Sequence, residues 1–343
     1  MDLPAAAAVE ERVTALDVPA GFDRPWVEFA TAEHGYAMFP QCGLGRCEVR
    51  LFSTEDGGRT WQSRAHPQPI AGNQQMHVTG EKTVVLLSEP DAWYVSGDGG
   101  VSWERRPYRE GEPPAEYPFG HDAGPFWLDC GRDNERPCVI RDRAGASRPA
   151  PGGYNVLTNG HNGTVWLTGV RGGRPITQLR EMGSGVVKDI AVPEQPGRPV
   201  YAARVLVSTD GQDSWLVADQ DPLGVGGGTA VMRGSVLKGT GLPLVWRLSG
   251  GAWKPEPLTG VDEKPNWPYS VAPAGRGMLI ISGPEAALYF GTGPLKIAGM
   301  PRLDWITLLR EGTIFGQAEA GVVYLGVGTG AERKWIKVVP SRR

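Results

Sequence analysis

The sequence predicts an all-β protein assembled from a recurring unit of short antiparallel strands. Three observations predict it. Thr54-Glu55-Asp56-Gly57-Gly58-Arg59-Thr60-Trp61 and Ser96-Gly97-Asp98-Gly99-Gly100-Val101-Ser102-Trp103 share the pattern [S/T]-x-D-x-G-x-[S/T]-W, 42 residues apart. Fainter copies continue downstream at a similar step. The 49 Gly and 30 Pro suit many short strands joined by turns, and no segment sustains apolar residues at helical spacing over three turns.

The repeated pattern describes a turn. Its Asp can accept backbone N–H bonds of its own turn. Its paired glycines permit the positive φ of a tight hairpin. Its Trp opens the next strand with a large apolar surface. Val49-Arg50-Leu51-Phe52 and Ala92-Trp93-Tyr94-Val95 read as the strands entering the two turns. A third copy, Ser208-Thr209-Asp210-Gly211-Gln212-Asp213-Ser214-Trp215, has Gln212 in place of Gly. Leu248 to Trp253 keeps Gly-Gly and Trp. Thr168 to Ile176 keeps only the glycines, and 290–295 and 328–335 are fainter still.

The anchors then fall at 61, 103, 176, 215, 253, about 296 and 335. A step near forty with several strands per unit is what a propeller blade needs. The expectation is a single β-propeller of four-stranded antiparallel blades, seven in number, with six or eight as alternatives. The long step from 103 to 176 is read as one blade plus an insertion at about 109–152, where seven Pro fall. Two compressed blades are the alternative.

These motifs resemble the Asp-box, or BNR-repeat, β-propellers. That group includes sialidases, xyloglucan-active hydrolases, sortilin-type receptors and photosystem II assembly factors of plastids. The resemblance covers about 26–339 and rests on the two strong copies. It implies a fold and no single activity. It also implies that the box residues are structural: Thr54, Asp56, Gly58, Thr60 and Trp61; Ser96, Asp98, Gly100, Ser102 and Trp103; Ser208, Asp210, Ser214 and Trp215. A sialidase would need Arg-Ile-Pro near the start. Arg24-Pro25 lacks the Ile, and no arginine triad is recognisable.

Residues 1–25 read as a tail that can supply a closing outer strand. The stretch 5–16 is the nearest approach to a helix, and Trp26-Val27-Glu28-Phe29 the first blade strand. The start, Met1-Asp2-Leu3-Pro4 and four alanines, has no charged n-region or apolar h-region. It reads as the mature form of an exported bacterial protein, secreted or lipoprotein-anchored, behind an added Met; a cytoplasmic protein is the alternative. A net charge of −3 argues against nucleic acid. No apolar run is long enough to span a membrane. A monomer is expected.

Four cysteines fall in two close pairs, 42/47 and 130/138, whose spacings suit the local bridges Cys42–Cys47 and Cys130–Cys138. Three pairings are formally possible. Without C-x-x-C or histidines at ligand spacing, no metal and no cofactor are expected.

Ligand-binding candidates lie on loops. Residues 116–130 gather Tyr117, His121, Asp122, Trp127 and Asp129, aromatics with carboxylates that suit sugar or peptide recognition. Asn155, His161 and Asn162 flank the strand Thr164-Val165-Trp166-Leu167. Asn162-Gly163-Thr164 also matches a glycosylation acceptor. Trp267 and Tyr269 sit in a Pro-rich turn. Glu33-His34 is weak as a dyad, since adjacent strand residues point oppositely. There is no G-x-S-x-G and no phosphate-binding loop. The expected function is non-catalytic: a binding or assembly module for a glycan, peptide or partner protein held at the channel mouth. The alternative is a divergent sialidase-like glycoside hydrolase, for which Asp122 and Asp129 are the candidate carboxylates.

Overall fold

The computed structural model describes residues 9–343, apart from 44–45, 68–72, 90, 109–113, 115, 118–123, 131–136, 143, 196–198, 221–235, 241, 262–267, 283–286 and 292. The chain divides into two compact units. The terminal unit comprises 7–121, 309–328 and 333–343; the central unit is chiefly 122–308 with 329–332.

The terminal unit begins with β1 (Glu10–Leu16). It continues with β2 (Trp26–Phe29), β3 (Gly35–Gly43), β4 (Arg46–Thr54) and β5 (Gln62–Arg64). Next come β6 (Asn73–Val78), β7 (Val84–Glu89), β8 (Ala92–Ser96) and β9 (Glu104–Pro107). The central unit holds β10 (Phe126–Asp129), β11 (Val139–Asp142) and β12 (Ser147–Pro149). After them run β13 (Val156–Asn159), β14 (Thr164–Arg171), β15 (Arg174–Glu181) and β16 (Val187–Ile190). There follow β17 (Ala202–Val207), β18 (Ser214–Asp219), β19 (Val236–Thr240), β20 (Leu244–Ser249) and β21 (Ala252–Pro255). The unit closes with β22 (Pro268–Gly275), β23 (Met278–Ser282), β24 (Ala287–Phe290), β25 (Pro294–Lys296) and β26 (Trp305–Leu308). The chain then returns to the terminal unit with β27 (Ile314–Glu319), β28 (Val322–Val327) and β29 (Lys334–Arg342). A 3-10 turn at Gly330–Glu332 is the helical element among the described residues.

These strands form antiparallel sheets in chain order, including β2-β3-β4-β5, β6-β7-β8-β9, β10-β11-β12 and β13-β14-β15-β16. Within each unit, successive sheets pack face to face, so inner strands are apolar on both faces rather than alternating. In β7, Val84 and Leu86 pack with Met38, Leu51 and Met76, while Val85 and Leu87 pack with Trp93 on the other side. In the central unit Trp166 of β14 meets Val205, Leu216 and Trp246. Leu206, Trp215 and Val217 meet Val271, Leu279 and Ile281. Each fully buried side chain of this size contributes about 2 kcal/mol.

Part of 5–16, the nearest approach to a helix in the sequence, is a strand. β1 pairs in parallel with β29, Glu10 opposite Ile336 through Leu16 opposite Arg342. The open edge of β29 gives its backbone groups partners that a short isolated helix could not hold.

The expected insertion also reads differently. Residues 126–149 hold three paired strands, and the last strands of the seven sheets found among the described residues begin at 62, 104, 147, 187, 252, 294 and 334. The steps are therefore 40 to 43 residues except one of 65, between β16 and β21. That longer step contains β19, which pairs with β22 rather than with β18 or β20. The displacement has a plain cause. The copies at Thr54 and Ser96 join the third and fourth strands of their sheets. The copy at Ser208 joins the first and second, β17 to β18, and Gly172-Gly173 joins the second and third, β14 to β15. Counting them as equivalent anchors moved the extra length to the wrong place.

Both cysteine pairs are bridged, Cys42 to Cys47 across opposed positions of β3 and β4, and Cys130 to Cys138 between β10 and β11. Two disulfides suit an oxidising, extracytoplasmic setting. No helix among the described residues is long and apolar enough to cross a membrane.

Candidate functional site

The two strong turns close on themselves. Thr54 Oγ1 donates to Asp56 Oδ1 at 2.9 Å and accepts from Gly58 N at 2.9 Å. Asp56 also accepts from Thr60 N and, at 2.6 Å, from Thr60 Oγ1. Ser96, Asp98, Gly100 and Ser102 repeat the arrangement, with Ser102 Oγ at 2.5 Å from Asp98. Burial raises the Asp56 pKa, but the bonds from Thr60 and Thr54 outweigh it and leave it lowered. Ser102 and Ser96 hold the Asp98 carboxyl far below the usual carboxylate range. The glycines are needed: Gly58 has φ 87°, and a Cβ there would lie 2.4 Å from Val338. Arg12 and Thr14 of β1 bond the carbonyls of Gly57 and Gly58 at 2.9 and 3.0 Å, tying this turn to β1.

The third copy works by another residue. Among the described residues Asp210 accepts hydrogen bonds from Ser208 Oγ and Gln212 N, within its own turn. Asp213 is buried and accepts from Arg247 at 3.0 Å and from Gly277 N at 2.7 Å. It thus joins two neighbouring sheets of the central unit. Nothing in the pattern marks Asp213. Ser214 and Trp215 lie inside β18, and Trp215 is completely buried.

Among the described residues of the central unit, the predicted binding residues do not gather in one place. Tyr117 packs against His77 and Trp93, with ring centroids 4.8 and 5.0 Å apart, covering one face of the β6–β9 sheet. Trp127 is 40% exposed on β10, on the same face as Asp129 and Arg141. The Asp129 carboxylate pairs with Arg141 Nε at 2.6 Å. Tyr269 is not an exposed turn aromatic: it is 1% exposed in the core with Val271 and Leu279, because 269 already belongs to β22. Asn155 and His161 flank opposite ends of β13, so they cannot share one loop surface. Asn159, the last residue of β13, clamps β10, accepting from Phe126 N and donating to Phe126 O. His121, Asp122 and Trp267 lie outside the described residues.

His161 and Asn162 do line a cleft. The β13–β14 turn carries both, with Asn162 at φ 51° and Gly163 at φ 73°. Thr164 holds the turn by donating its N–H and Oγ1 to the His161 carbonyl. Opposite stands the β15–β16 turn, where Ser184 Oγ donates to Glu181 Oε2 at 2.6 Å. The third wall is the β17–β18 turn, where a Cβ on Gly211 would lie 2.8 Å from His161. Between them opens a cleft of about 530 Å³, floored by Trp166, Leu179, Val207 and Leu248. Glu181 and Ser184, both exposed, escaped sequence reading because isolated polar turn residues carry no signature. In a smaller cleft of about 370 Å³ beside the second turn, Arg106 bonds both Glu104 and Glu116, lowering the pKa of each.

No protein-family model matches the chain, and no curated protein matches it. Among solved structures, YCF48 bound to D1 peptide is 14% identical over 94% of both chains, with a TM-score of 0.42. YCF48 from Cyanidioschyzon merolae is 13% identical over 94% of this chain and 96% of that one, at 0.43. The GH74 xyloglucanase from Xanthomonas campestris is 13% identical over 94% of this chain and 47% of that one, at 0.37. Likenesses at this level assign neither a family nor an activity.

Proposed function

We propose that the chain is a seven-bladed propeller of Asp-box type serving as an extracytoplasmic, non-catalytic binding module. Its ligand is a glycan, peptide or partner protein, taken up at the cleft between the β13–β14, β15–β16 and β17–β18 turns. The observation that carries the reading is that cleft: an apolar floor with a rim of His161, Asn162, Ser184 and Glu181, the form of a recognition site. Glu181 is the single carboxylate in its lining among the described residues. Glycoside hydrolysis calls for two facing carboxylates, and Asp129 is engaged with Arg141. The repeated step of 40 to 43 residues supports the blade count.

The test is an array of glycans and peptides, with released reducing sugar read from the same wells, for the wild type and Ser184→Trp. Binding without sugar release, lost in Ser184→Trp at an unchanged melting temperature, is the expected result. Sugar release, or binding indifferent to Ser184→Trp, overturns the proposal.

A further inference from the structure

The chain contains two Asn-Gly pairs, Asn159-Gly160 and Asn162-Gly163, three residues apart. Such a pair carries a reaction of its own. With no side chain on the glycine, its backbone nitrogen can reach the side-chain carbonyl carbon of the asparagine and displace ammonia. The fold treats the two pairs in opposite ways.

Asn159 is shielded at each reacting atom. Its side chain is held at both ends by the Phe126 backbone, accepting from the N–H at 3.2 Å and donating to the carbonyl at 2.9 Å. Gly124 packs directly against its carbonyl carbon; a Cβ there would come within 2.2 Å of Asn159 Cγ. The attacking nitrogen is occupied as well, since Gly160 N donates to the Thr164 carbonyl at 2.9 Å. Asn162 has none of this protection. It and Gly163 are both exposed. Among the described residues neither the Asn162 side-chain amide nor Gly163 N has a hydrogen-bond partner. A Cβ on Gly163 would meet nothing within 4 Å. The turn is held instead through the carbonyls of His161 and Gly163, which accept from Thr164 N at 3.0 Å and Met182 N at 2.9 Å.

We infer that Asn162 is a site of spontaneous deamidation in the folded protein, while Asn159 is protected. Hydroxide removes the Gly163 N–H proton. The nitrogen bonds to Asn162 Cγ, the Cγ–Nδ2 bond breaks, and Nδ2 takes a proton from water and leaves as ammonia. Water then opens the five-membered imide at either carbonyl. The products are aspartate, or isoaspartate with the main chain running through the former side chain; nothing is oxidised or reduced. Either product places a carboxylate on the rim of the cleft that Glu181 also lines. It adds one negative charge to a chain of net charge −3. The reaction needs no ligand in that cleft.

The test is peptide mapping by mass spectrometry after the whole protein has stood in mildly alkaline buffer, either folded or in concentrated urea. Fragment ions separate position 159 from position 162, and deamidation adds about 1 Da as the amide becomes a carboxyl group. In urea both asparagines should gain it at similar rates. In the folded protein Asn162 should gain it about tenfold or more faster than Asn159, whose two side-chain hydrogen bonds must break before attack. An isoaspartyl methyltransferase should label the folded product at 162. Similar rates at the two positions in the folded protein, faster reaction at Asn159, or no gain at Asn162 overturns the inference. So does a product free of isoaspartate, or the same difference between the two positions persisting in urea.

Discussion

The hairpins at 54–61 and 96–103 and the turn cluster around His161 are built from similar small polar residues, yet they end in opposite states. In the hairpins, hydroxyl and carboxylate oxygens bond one another and the local backbone, and both carboxyl pKa values are lowered. Little is left to offer a ligand. Around His161, three turns meet without filling the space between them, and an exposed carboxylate and an imidazole face solvent. A strong motif therefore marks where the chain satisfies itself. The candidate site lies where the sequence carries only ordinary turn residues.

The largest effect that sharpens this contrast is expected at Trp215. It is fully buried between two sheets, so Trp215→Ala should cost about 3–5 kcal/mol in denaturant unfolding. Asp213→Ala should follow at about 2–3 kcal/mol, since it strands Arg247 and the Gly277 N–H. Asp210→Ala, although it alters the motif residue, should cost less than about 1 kcal/mol. Equal costs for the two aspartates would break the claim that the third copy works differently.

Ser96→Ala comes next. Its hydroxyl is buried and serves both Gly100 N and Asp98, so a loss of about 1–3 kcal/mol is expected. Unchanged stability would mean that the closed network of the second hairpin contributes nothing to folding.

The pH dependence is a finer probe. Asp56 and Asp98 have lowered pKa values in the folded state. Their stabilisation is therefore present above the unfolded carboxylate pKa of about 4 and is lost as pH falls through the lower folded values. The double variant Asp56→Asn, Asp98→Asn should flatten the acid limb of a melting-temperature profile below about pH 4. A profile parallel to wild type would show that the carboxylates are not specially held. The smallest effect is expected for His161→Ala, within about 0.5 kcal/mol of wild type in stability, because the side chain is exposed.

Much of the architecture was legible because it rests on local rules. Glycine pairs at 57–58 and 99–100 adopt the positive φ their hairpins need. The close cysteine pairs form local bridges. Strands leading into Thr54 and Ser96 stand where the apolar runs placed them. What escaped depends on distance along the chain. An outer strand was expected from residues 1–25, but its partner, β29, lies more than 300 positions away and was not named, and β19 leaves its sequence neighbours to pair with β22. Tyr269 looked like a turn aromatic beside its prolines but is drawn into the core by Val271 and Leu279. The cleft was half visible, through His161 and Asn162. Its other walls come from turns 23 and 50 residues beyond His161, around Ser184 and Gly211.

The most direct test is a paired measurement of melting temperature and array binding in Ser96→Ala and Ser184→Trp. The account predicts that Ser96→Ala melts several degrees lower and binds as wild type does, while Ser184→Trp melts as wild type does and no longer binds. The reverse, binding lost in Ser96→Ala at an unchanged melting temperature and kept in Ser184→Trp, would place the site at the repeated turn and contradict the account.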